Sequence, residues 1–455
     1  MHIDNDKTVI PSKPTLGEQN IAALIAWNQR RLQAQNFESE ARPIRSLGIV
    51  GAGVMGTSIA ASAISSDLPV GITDVSQEAL DSVRSRITLE LKGNTGFLPL
   101  TDPHWADRLL RITADLDEVV KCDLVLEAVK EDLLLKQQLL RELERKMRGD
   151  SVLASNTSTI SIDHLASNLV DPSRICGIHF FLPVCRQRLI EIVSAPRCSR
   201  TTLATAVSFA RLLGKIALVV PDGPAFLVNR LLMSYLSEAL QLVTEGVPIE
   251  QVDQVATEFG MVRGPLSLID QIGLDIVLAC AFQLHDPIKG RMISAPLLVT
   301  MIKAGRLGIK RGAGFYRYLA TNDWNASGIP DPALAPILAQ WIPTVRPFSV
   351  ERIRSRLFFP MVLEATRILA EGRLDDPRDI DLAVVFGFGF PAARGGLLYW
   401  ADTLGAAQII EQLKLLKSLG DRAEPTRYLL DMAASGHPFY SGCPEPIMRQ
   451  NEAAP

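Results

Sequence analysis

Apolar and polar positions follow two different patterns along the chain, and the change from one to the other comes near residue 222. From about residue 44 to 222, short apolar runs alternate with amphipathic segments of helical periodicity, which is typical of an α/β parallel sheet. The predicted strands are 47–51, 70–74, 123–128, 151–154, 175–181, 188–193 and 216–220. Helices are predicted at 76–92 and 133–147, and an amphipathic helix at 16–36 precedes the first strand.

The first predicted strand leads directly into a glycine-rich turn, Gly51-x-Gly53-x-x-Gly56, and a helical pattern follows it. In that setting the first glycine permits the turn, the second lets the backbone approach a pyrophosphate, and the third lets helix and strand pack closely. The N–H groups of Val54 and Met55, at the start of the helix, would then face the phosphates. The alternative interpretation is a glycine turn that binds no ligand.

An acidic residue, Asp74, ends the second predicted strand, 23 positions after Gly51. A carboxylate there can accept hydrogen bonds from both ribose hydroxyls of NAD, and it would repel the additional phosphate of NADP. No Arg or Lys occurs at 75–77 to offset that repulsion. The sequence therefore predicts an α/β, doubly wound, Rossmann-type domain that binds NAD.

Past Asp222 the strands stop, and a helical pattern begins that occurs twice. Helices are predicted at 225–245 and 249–259. Two pairs of glutamates, Glu238 with Glu364 and Glu245 with Glu371, are each 126 positions apart. The sequence thus predicts two repeated all-α domains after the NAD-binding domain. The predicted divisions are an N-terminal arm and helix (1–43), the NAD-binding domain (44–222), the first helical domain (223–318), a linker (319–346), the second helical domain (347–440) and a tail (441–455).

Composition and charge narrow the possible partners. The 455 residues are 47% hydrophobic and 21% charged, and the net charge is −3, so nothing favours binding to nucleic acid or to an anionic membrane. The six cysteines show no metal-binding spacing and predict reduced thiols, as in a cytoplasmic protein. We expect no signal peptide, no membrane span and no metal site.

Five motifs occur in register and resemble those of the L-3-hydroxyacyl-CoA dehydrogenases. They are Gly51-Ala-Gly-Val-Met-Gly56, Ala154-Ser-Asn-Thr-Ser158, His179-Phe-Phe-x-Pro183, Asp222-x-Pro-x-Phe-x-x-Asn229-Arg230 and Gly305-Arg-Leu-Gly-x-Lys-x-Gly-x-Gly-Phe-Tyr316. With its repeated helical unit, the chain resembles the dehydrogenase half of the multifunctional fatty-acid-oxidation α-subunit, without the hydratase half. The helix at 16–36 could correspond to the segment that joins the two halves. The resemblance implies oxidation of (3S)-3-hydroxyacyl-CoA by NAD.

His179 is the predicted acid/base, and Glu191 is its predicted partner. Each lies in one of two successive strands joined by a turn, and pairing of those strands would bring the two side chains together. A carboxylate beside an imidazole fixes its tautomer and stabilises the imidazolium. The alternative is a buried histidine that has no catalytic role, which is the more common case for a single His in a strand. The resemblance assigns the same acid/base and orienting roles.

The other site residues are implied chiefly by the resemblance. Ser158 and Asn229 would hold the substrate oxygen across a cleft between the domains, although alone they predict only a helix cap and an exposed helical Asn. Glu127, Lys136 and Asn156 would lie on the cofactor side.

One departure from the family pattern is Leu182, which stands where the family usually has Asn beside the catalytic His. This change could narrow or alter the substrate range or lower the rate, and it keeps open the hypothesis of a non-catalytic subunit that binds NAD or acyl-CoA. A dehydrogenase for another β-hydroxy acid is a separate alternative. The second helical copy could cover the surface through which single-unit members dimerise, which would make a monomer. Separate hydratase or thiolase partners could dock on the protein.

Overall fold

The computed structural model describes residues 14–92, 104–291, 296–319, 326–342, 344 and 348–441. Most of the predicted N-terminal arm, part of the predicted linker and nearly all of the predicted tail lie outside these ranges. Within them, an α/β part precedes a region of helices. The change occurs after Pro221, where the last strand ends.

One eight-stranded sheet forms the centre of the α/β part in the described ranges. Its strands are β1 (Leu47–Val50), β2 (Val70–Thr73), β3 (Leu110–Ile112), β4 (Leu124–Glu127), β5 (Val152–Ser155), β6 (Ile175–Phe180), β7 (Leu189–Ser194) and β8 (Ile216–Pro221). Their order is β3-β2-β1-β4-β5-β6-β7-β8, and every neighbouring pair is parallel except β6 with β7. The seven predicted strands all exist, whereas the edge strand β3 was not predicted.

Helices cover both faces of this sheet, as a parallel sheet requires. The α/β part and the segment before it contain α1 (Leu16–Ala34), α2 (Phe37–Glu40), α3 (Val54–Ser65), α4 (Gln77–Lys92), α5 (Trp105–Leu109), α6 (Leu116–Val119), α7 (Leu133–Lys146), α8 (Ile162–Leu165) and α9 (Arg200–Leu212). Strands β1, β4, β5 and β6 are buried at every position. Their sequences therefore show no regular alternation of apolar and polar residues.

The helical region follows β8. Its helices are α10 (Val228–Thr244), α11 (Ile249–Phe259), α12 (Pro265–Ile272), α13 (Leu274–His285), α14 (Pro296–Lys303), α15 (Ala335–Leu338), α16 (Val350–Ala370), α17 (Pro377–Phe388), α18 (Leu397–Leu404), α19 (Ala406–Lys414) and α20 (Arg427–Ser435). In the described ranges, no helix by itself has the length and apolar character to cross a membrane; α12 and α13 reach it only as a pair bent by 99°.

The two longest helices of this region, α10 and α16, pack against each other through buried ion pairs. Arg230 of α10 binds Glu364 (2.7 Å) and Glu371 (2.8 Å). Arg356 of α16 binds Glu238 (2.5 Å) and Glu245 (2.9 Å). Each arginine side chain is at most 7% exposed and binds two glutamates, so its buried charge is paired within the interface between the two helices.

Helix α1 joins the two parts of the molecule. The Asn28 side chain donates to the carbonyl oxygen of Ala217 in β8, and Arg31 forms an ion pair with Asp379 of α17 at 2.6 Å. A Cβ on Gly17 would lie 2.1 Å from the carbonyl oxygen of Ala393, so the helix approaches that backbone closely. The predicted helix at 16–36 is therefore an integral packing element.

Candidate active site

The glycine-rich turn between β1 and α3 is fixed by its own backbone at two of its three glycines. Gly51 has φ +114°, and a Cβ there would lie 2.5 Å from the carbonyl oxygen of Ala128. A Cβ on Gly56 would lie 1.9 Å from the carbonyl oxygen of Gly51. Both glycines are therefore required for the strand, turn and helix to pack.

The middle glycine, Gly53, has a different surrounding. A Cβ at this position would meet no atom within 4 Å in the described structure, and its φ of −73° suits any residue. It is the N-cap of α3 without a side-chain cap, so the N–H groups of Val54 and Met55 have no intrahelical acceptor. This open, uncapped helix start fits a diphosphate of a dinucleotide.

Asp74 follows β2 and lies against the same turn. One of its carboxylate oxygens accepts from the N–H of Ala52 at 2.7 Å, and the other accepts from the N–H of Ser76 at 2.9 Å. An ionised carboxylate has about four acceptor positions, so hydrogen bonds to ribose hydroxyls are compatible with these contacts. Asp74 thus holds the turn in addition to its predicted role.

A buried ion pair lies at the end of β4. Glu127, with no exposed surface, accepts from Lys136 (2.7 Å), the Ser155 hydroxyl (2.5 Å) and the N–H of Val129 (2.7 Å). Lys136 is 1% exposed, although charged residues of a helix are usually solvated. Through these contacts, the buried Glu127 positions Lys136.

Glu131 contacts several residues of the candidate site, although no role there was predicted for it from the sequence. It forms an ion pair with Lys136 at 3.1 Å and accepts from the hydroxyls of Thr157 and Thr159 and from the N–H of Ser158 at 3.0 Å. Burial acts to raise the pKa of Glu131, but the charge of Lys136 and the hydrogen bonds outweigh it and lower the pKa. Its spacing of five positions from Lys136, just after a strand end, was the available signal.

Asn156 connects two neighbouring strands. Its N–H donates to the carbonyl oxygen of Glu127, and its side-chain oxygen accepts from the N–H of Phe180 at 3.0 Å. The side chain therefore orders the carboxyl ends of β4, β5 and β6, where the predicted cofactor residues meet.

His179 and Glu191 are directly opposite each other in the antiparallel pair β6 and β7. Nδ1 of His179 lies 2.8 Å from Glu191 Oε2, and both residues are buried. The other carboxylate oxygen accepts from the N–H groups of Leu227 (3.1 Å) and Val228 (2.9 Å), at the start of α10. Glu191 therefore holds both the imidazole and the first helix of the helical region.

The start of α10 is also where the predicted oxygen-binding residues meet. Ala225 and Phe226 have φ +54° and +56°, and this left-handed bend delays the helix until Val228, past the predicted start at 225. The bend brings the Asn229 side chain to the carbonyl oxygen of Ser158, 2.9 Å away. Both residues keep partly exposed surface at the place where the two parts of the molecule meet.

Leu182 lies two residues after β6 and packs against the core of the α/β part. It adds no hydrogen-bonding group near His179. In the described ranges, no group of three or more His, Cys, Asp or Glu residues could hold a metal ion.

Comparison with known proteins identifies a family whose models match most of the chain. A model described as "3-hydroxyacyl-CoA dehydrogenase, NAD binding domain" matches residues 46–223. The model of the C-terminal domain of the same enzymes matches twice, at 226–318 and at 353–438. The fatty acid oxidation complex subunit alpha of Pseudomonas syringae pv. tomato is 33% identical over 437 residues. That match covers 94% of this chain, but the chain spans only 60% of the relative's length.

Two solved structures are also similar. The (S)-3-hydroxybutyryl-CoA dehydrogenase PaaH1 from Ralstonia eutropha is 33% identical, with a TM-score of 0.56, over 61% of this chain and 99% of that one. The 3-hydroxybutyryl-CoA dehydrogenase from Escherichia coli K12 has a TM-score of 0.72 at 24% identity, over 87% of this chain and 100% of that one. At that identity, the second likeness concerns the fold alone.

Proposed function

The chain belongs to the 3-hydroxyacyl-CoA dehydrogenase family of NAD-dependent oxidoreductases, and from this premise we propose that it oxidises (3S)-3-hydroxyacyl-CoA to 3-oxoacyl-CoA reversibly. The reaction is of the fatty-acid β-oxidation type. Its proposed acid/base pair is His179 with Glu191, and its cofactor is NAD.

Proton transfer is the proposed role of His179. Because an ionised carboxylate can only accept, Glu191 favours the tautomer in which Nδ1 carries hydrogen and donates to it. The lone pair of Nε2 can then take the proton of the substrate hydroxyl. As the imidazolium forms, the buried carboxylate at 2.8 Å stabilises the new positive charge.

Binding of the substrate oxygen is the proposed role of the Ser158 hydroxyl and the Asn229 amide. Both belong to segments held by other groups: Ser158 by Glu131, and Asn229 by the helix start at Glu191. Donors fixed in this way stabilise a developing carbonyl oxygen without reorganisation during the reaction.

The residues of the glycine-rich turn and Asp74 are the proposed NAD contacts. The open space at Gly53 and the uncapped helix start behind it support this assignment. NAD supplies the hydride acceptor, while Lys136 and Asn156 order the strand ends beside it.

The contact of Glu191 with both His179 and α10 carries the proposal, and two variants test it. We expect His179→Gln and Glu191→Gln to lower kcat for 3-hydroxybutyryl-CoA by about 10²- to 10⁴-fold, the usual contribution of a general base. NAD affinity, measured by titration calorimetry, should change little. Glu142→Gln, at an exposed position of α7, is the matched control. Near-normal turnover of either variant would exclude this mechanism.

The same assay separates the two other hypotheses. Turnover of free β-hydroxy acids in preference to acyl-CoA thioesters would indicate a dehydrogenase for another substrate, for which Leu182 would be the first residue to examine. NAD binding without turnover of any acyl-CoA from four to sixteen carbons would indicate a non-catalytic subunit.

We further propose that the helical region consists of two copies of one all-α unit, approximately 223–318 and 347–440. In addition to the reciprocal ion pairs of α10 and α16, each half contains a buried aspartate with similar hydrogen bonds. Asp253 accepts from the N–H of Leu266 and the hydroxyl of Tyr316, and Asp381 accepts from the N–H of Leu398 and the hydroxyl of Tyr440. The double match of one family model supports the duplication.

Docking of this chain to a hydratase or thiolase partner is a separate proposal. It depends on the relatives' name, which describes a subunit of a fatty acid oxidation complex. Co-sedimentation of the full chain with a purified thiolase would test it, and the absence of any mixed species at micromolar concentrations would contradict it.

A further inference from the structure

A cavity of about 610 Å³ lies within the helical region, and both of its halves contribute to the wall. Phe259 at the end of α11 forms one side, and residues of α16, α18 and α19 form the others. None of the residues assigned above to the candidate active site lines it. Its volume falls in the range of sites that hold organic ligands, about 300–1,000 Å³.

Three guanidinium groups line this cavity: those of Arg352 and Arg354, in the first turns of α16, and that of Arg394. One carboxylate, that of Glu351, also lines it, so the wall has an excess of positive charge. Across the described residues, no carboxylate lies within ion-pair distance of Arg352, Arg354 or Arg394. This distinguishes them from Arg230 and Arg356, which bind two glutamates each.

Arg354 has an unsatisfied donor. Its Nε is buried, and no acceptor among the described residues forms a hydrogen bond with it. A buried N–H without a partner is destabilising, and native proteins seldom leave one unless another molecule supplies the acceptor.

Arg394 is held close to that group. Its Nε donates to the carbonyl oxygen of Phe259 at 2.8 Å, and its guanidinium lies 3.8 Å from the centre of the Phe259 ring. Burial, and after it the positive charge of Arg354, lower the pKa of Arg394. Two like charges are thus kept near each other, which an anion between them would stabilise.

Apart from Ser349, Ser355 and Gln412, the remainder of the wall is apolar. Phe359 and Trp400 stack with ring centres 6.1 Å apart, and Leu404 and Leu416 lie beside them. Leu415, also in the wall, is 81% exposed, so the apolar surface continues to the opening. An aliphatic chain would bury this surface.

In the proposed duplication, the cavity in the second unit corresponds in position to the candidate active site beside the first unit. Ser355, which lines the cavity, is 126 positions after Asn229, the same spacing that relates the paired glutamates. In the proposed duplication, the second unit therefore presents to the cavity the helix face that the first unit presents to the candidate active site. On this helix, the arginines that line the cavity near Ser355 are Arg352 and Arg354.

We propose that this cavity binds an amphipathic organic anion, with an anionic head on Arg352 and Arg354 and an aliphatic chain along Phe359 and Trp400. The proposal does not depend on the catalytic assignment, because no residue of the candidate active site is involved. The head is a carboxylate or a phosphate, and both are groups that a guanidinium binds with two parallel hydrogen bonds.

Titration calorimetry on the full chain tests this with decanoate and decyl phosphate as probes. We expect at least one of them to bind with one-to-one stoichiometry, and the tighter of the two identifies the head group. Acetate and 1-decanol, which have only the head or only the chain, should bind at least tenfold more weakly. Absence of binding by both probes would overturn the proposal.

Two variants locate the binding. Arg354→Met and Arg352→Met should each weaken the probe by at least tenfold, whereas Arg84→Met, an exposed arginine of the α/β part, should not. Arg354→Met removes an unsatisfied donor and should fold; if it does not, the exposed Arg352 decides alone. Equal affinity in the arginine variants, or displacement of the probe by acetoacetyl-CoA, would place the probe elsewhere and overturn the proposal.

Discussion

At the scale of single residues, Glu131 shows how the site is prepared for its substrate. Its carboxylate fixes the backbone of Ser158 from one side and the charge of Lys136 from the other. The backbone of Ser158 is therefore ordered by contacts within the protein. In the proposed mechanism, Glu131 touches no reacting atom and is a positioning residue.

Glu131→Gln tests that role. The amide nitrogen would face Lys136 and lose the ion pair, so we expect kcat/KM for 3-hydroxybutyryl-CoA to fall about 10- to 100-fold, consistent with about 1.5–3 kcal/mol for hydrogen bonds to a charged group. Asp132→Asn is the matched control, because Asn keeps the cap on α7. A drop of equal size in the control would indicate a general effect on the α7 region.

Asp270 provides a prediction on pH. Burial raises the pKa of this carboxyl to about 7, above its ordinary value, against hydrogen bonds from Phe315, Tyr316 and Tyr318 that lower it. The folded state thus binds the proton more tightly than the unfolded state. This stabilisation is complete below the unfolded pKa, near 4, and is lost as the pH rises through about 7.

Urea unfolding between pH 5 and 8.5 measures this effect. We expect the free energy of unfolding to decrease with rising pH across this interval, and Asp270→Asn to decrease less steeply. The comparison concerns slopes, since the variant also loses a hydrogen bond and is less stable at every pH. Identical slopes in the two proteins would show that Asp270 does not titrate in this range.

His179 and Glu191 were predictable from the sequence, because two strands joined by a short turn place residues at a fixed distance across the pair. Glu131 was harder to recognise, since its contacts come from the turn after β5 and not from its own element. The ion pairs of Arg230 and Arg356 join helices more than a hundred residues apart, and only the repeat hinted at them.

At the scale of elements, the glycines of the turn between β1 and α3 have different roles. Gly56 is required for packing, whereas Gly53 is open and is proposed to serve NAD binding. Gly53→Ala should keep stability within about 0.5 kcal/mol, because the methyl group enters open space at a permitted φ. NADH affinity should fall at least tenfold, because the methyl group occupies the approach to the backbone. Gly56→Ala should instead destabilise the fold by about 1–3 kcal/mol.

Fluorescence titration of NADH and thermal unfolding of both variants check this pair. Full NADH affinity in Gly53→Ala would show that the dinucleotide does not approach this backbone.

The periodicity of the sequence predicted seven of the eight strands in the described ranges and several of the helices, and it was wrong or silent where tertiary contacts decide. The edge strand β3 has three residues with an exposed Arg111 at its centre, so no apolar run marks it. The start of α10 was predicted three residues early, because the left-handed backbone at Ala225 and Phe226 leaves no trace in hydrophobicity. The antiparallel pair β6 and β7 followed from the short turn between them.

At the scale of the whole molecule, the packing of α10 on α16 predicts the oligomeric state. These helices bury their shared face, with Tyr235 stacked on Phe358 at 5.7 Å and the charges of Arg230 and Arg356 neutralised inside the chain. A surface covered in this way is not available to a second copy. We therefore expect a monomer, and sedimentation equilibrium measures its mass; a mass of two chains would contradict the prediction.

Glu191 has a consequence for the order of events during synthesis. Its partner His179 leaves the ribosome together with it, but the amides of Leu227 and Val228 emerge later, and α10 must then dock before they reach the carboxylate. In a nascent chain, the proposed acid/base pair therefore lacks these two hydrogen bonds until α10 has docked. In this chain, the hydrogen bonds of Glu191 can be completed only after the first residues of the helical region have been synthesised.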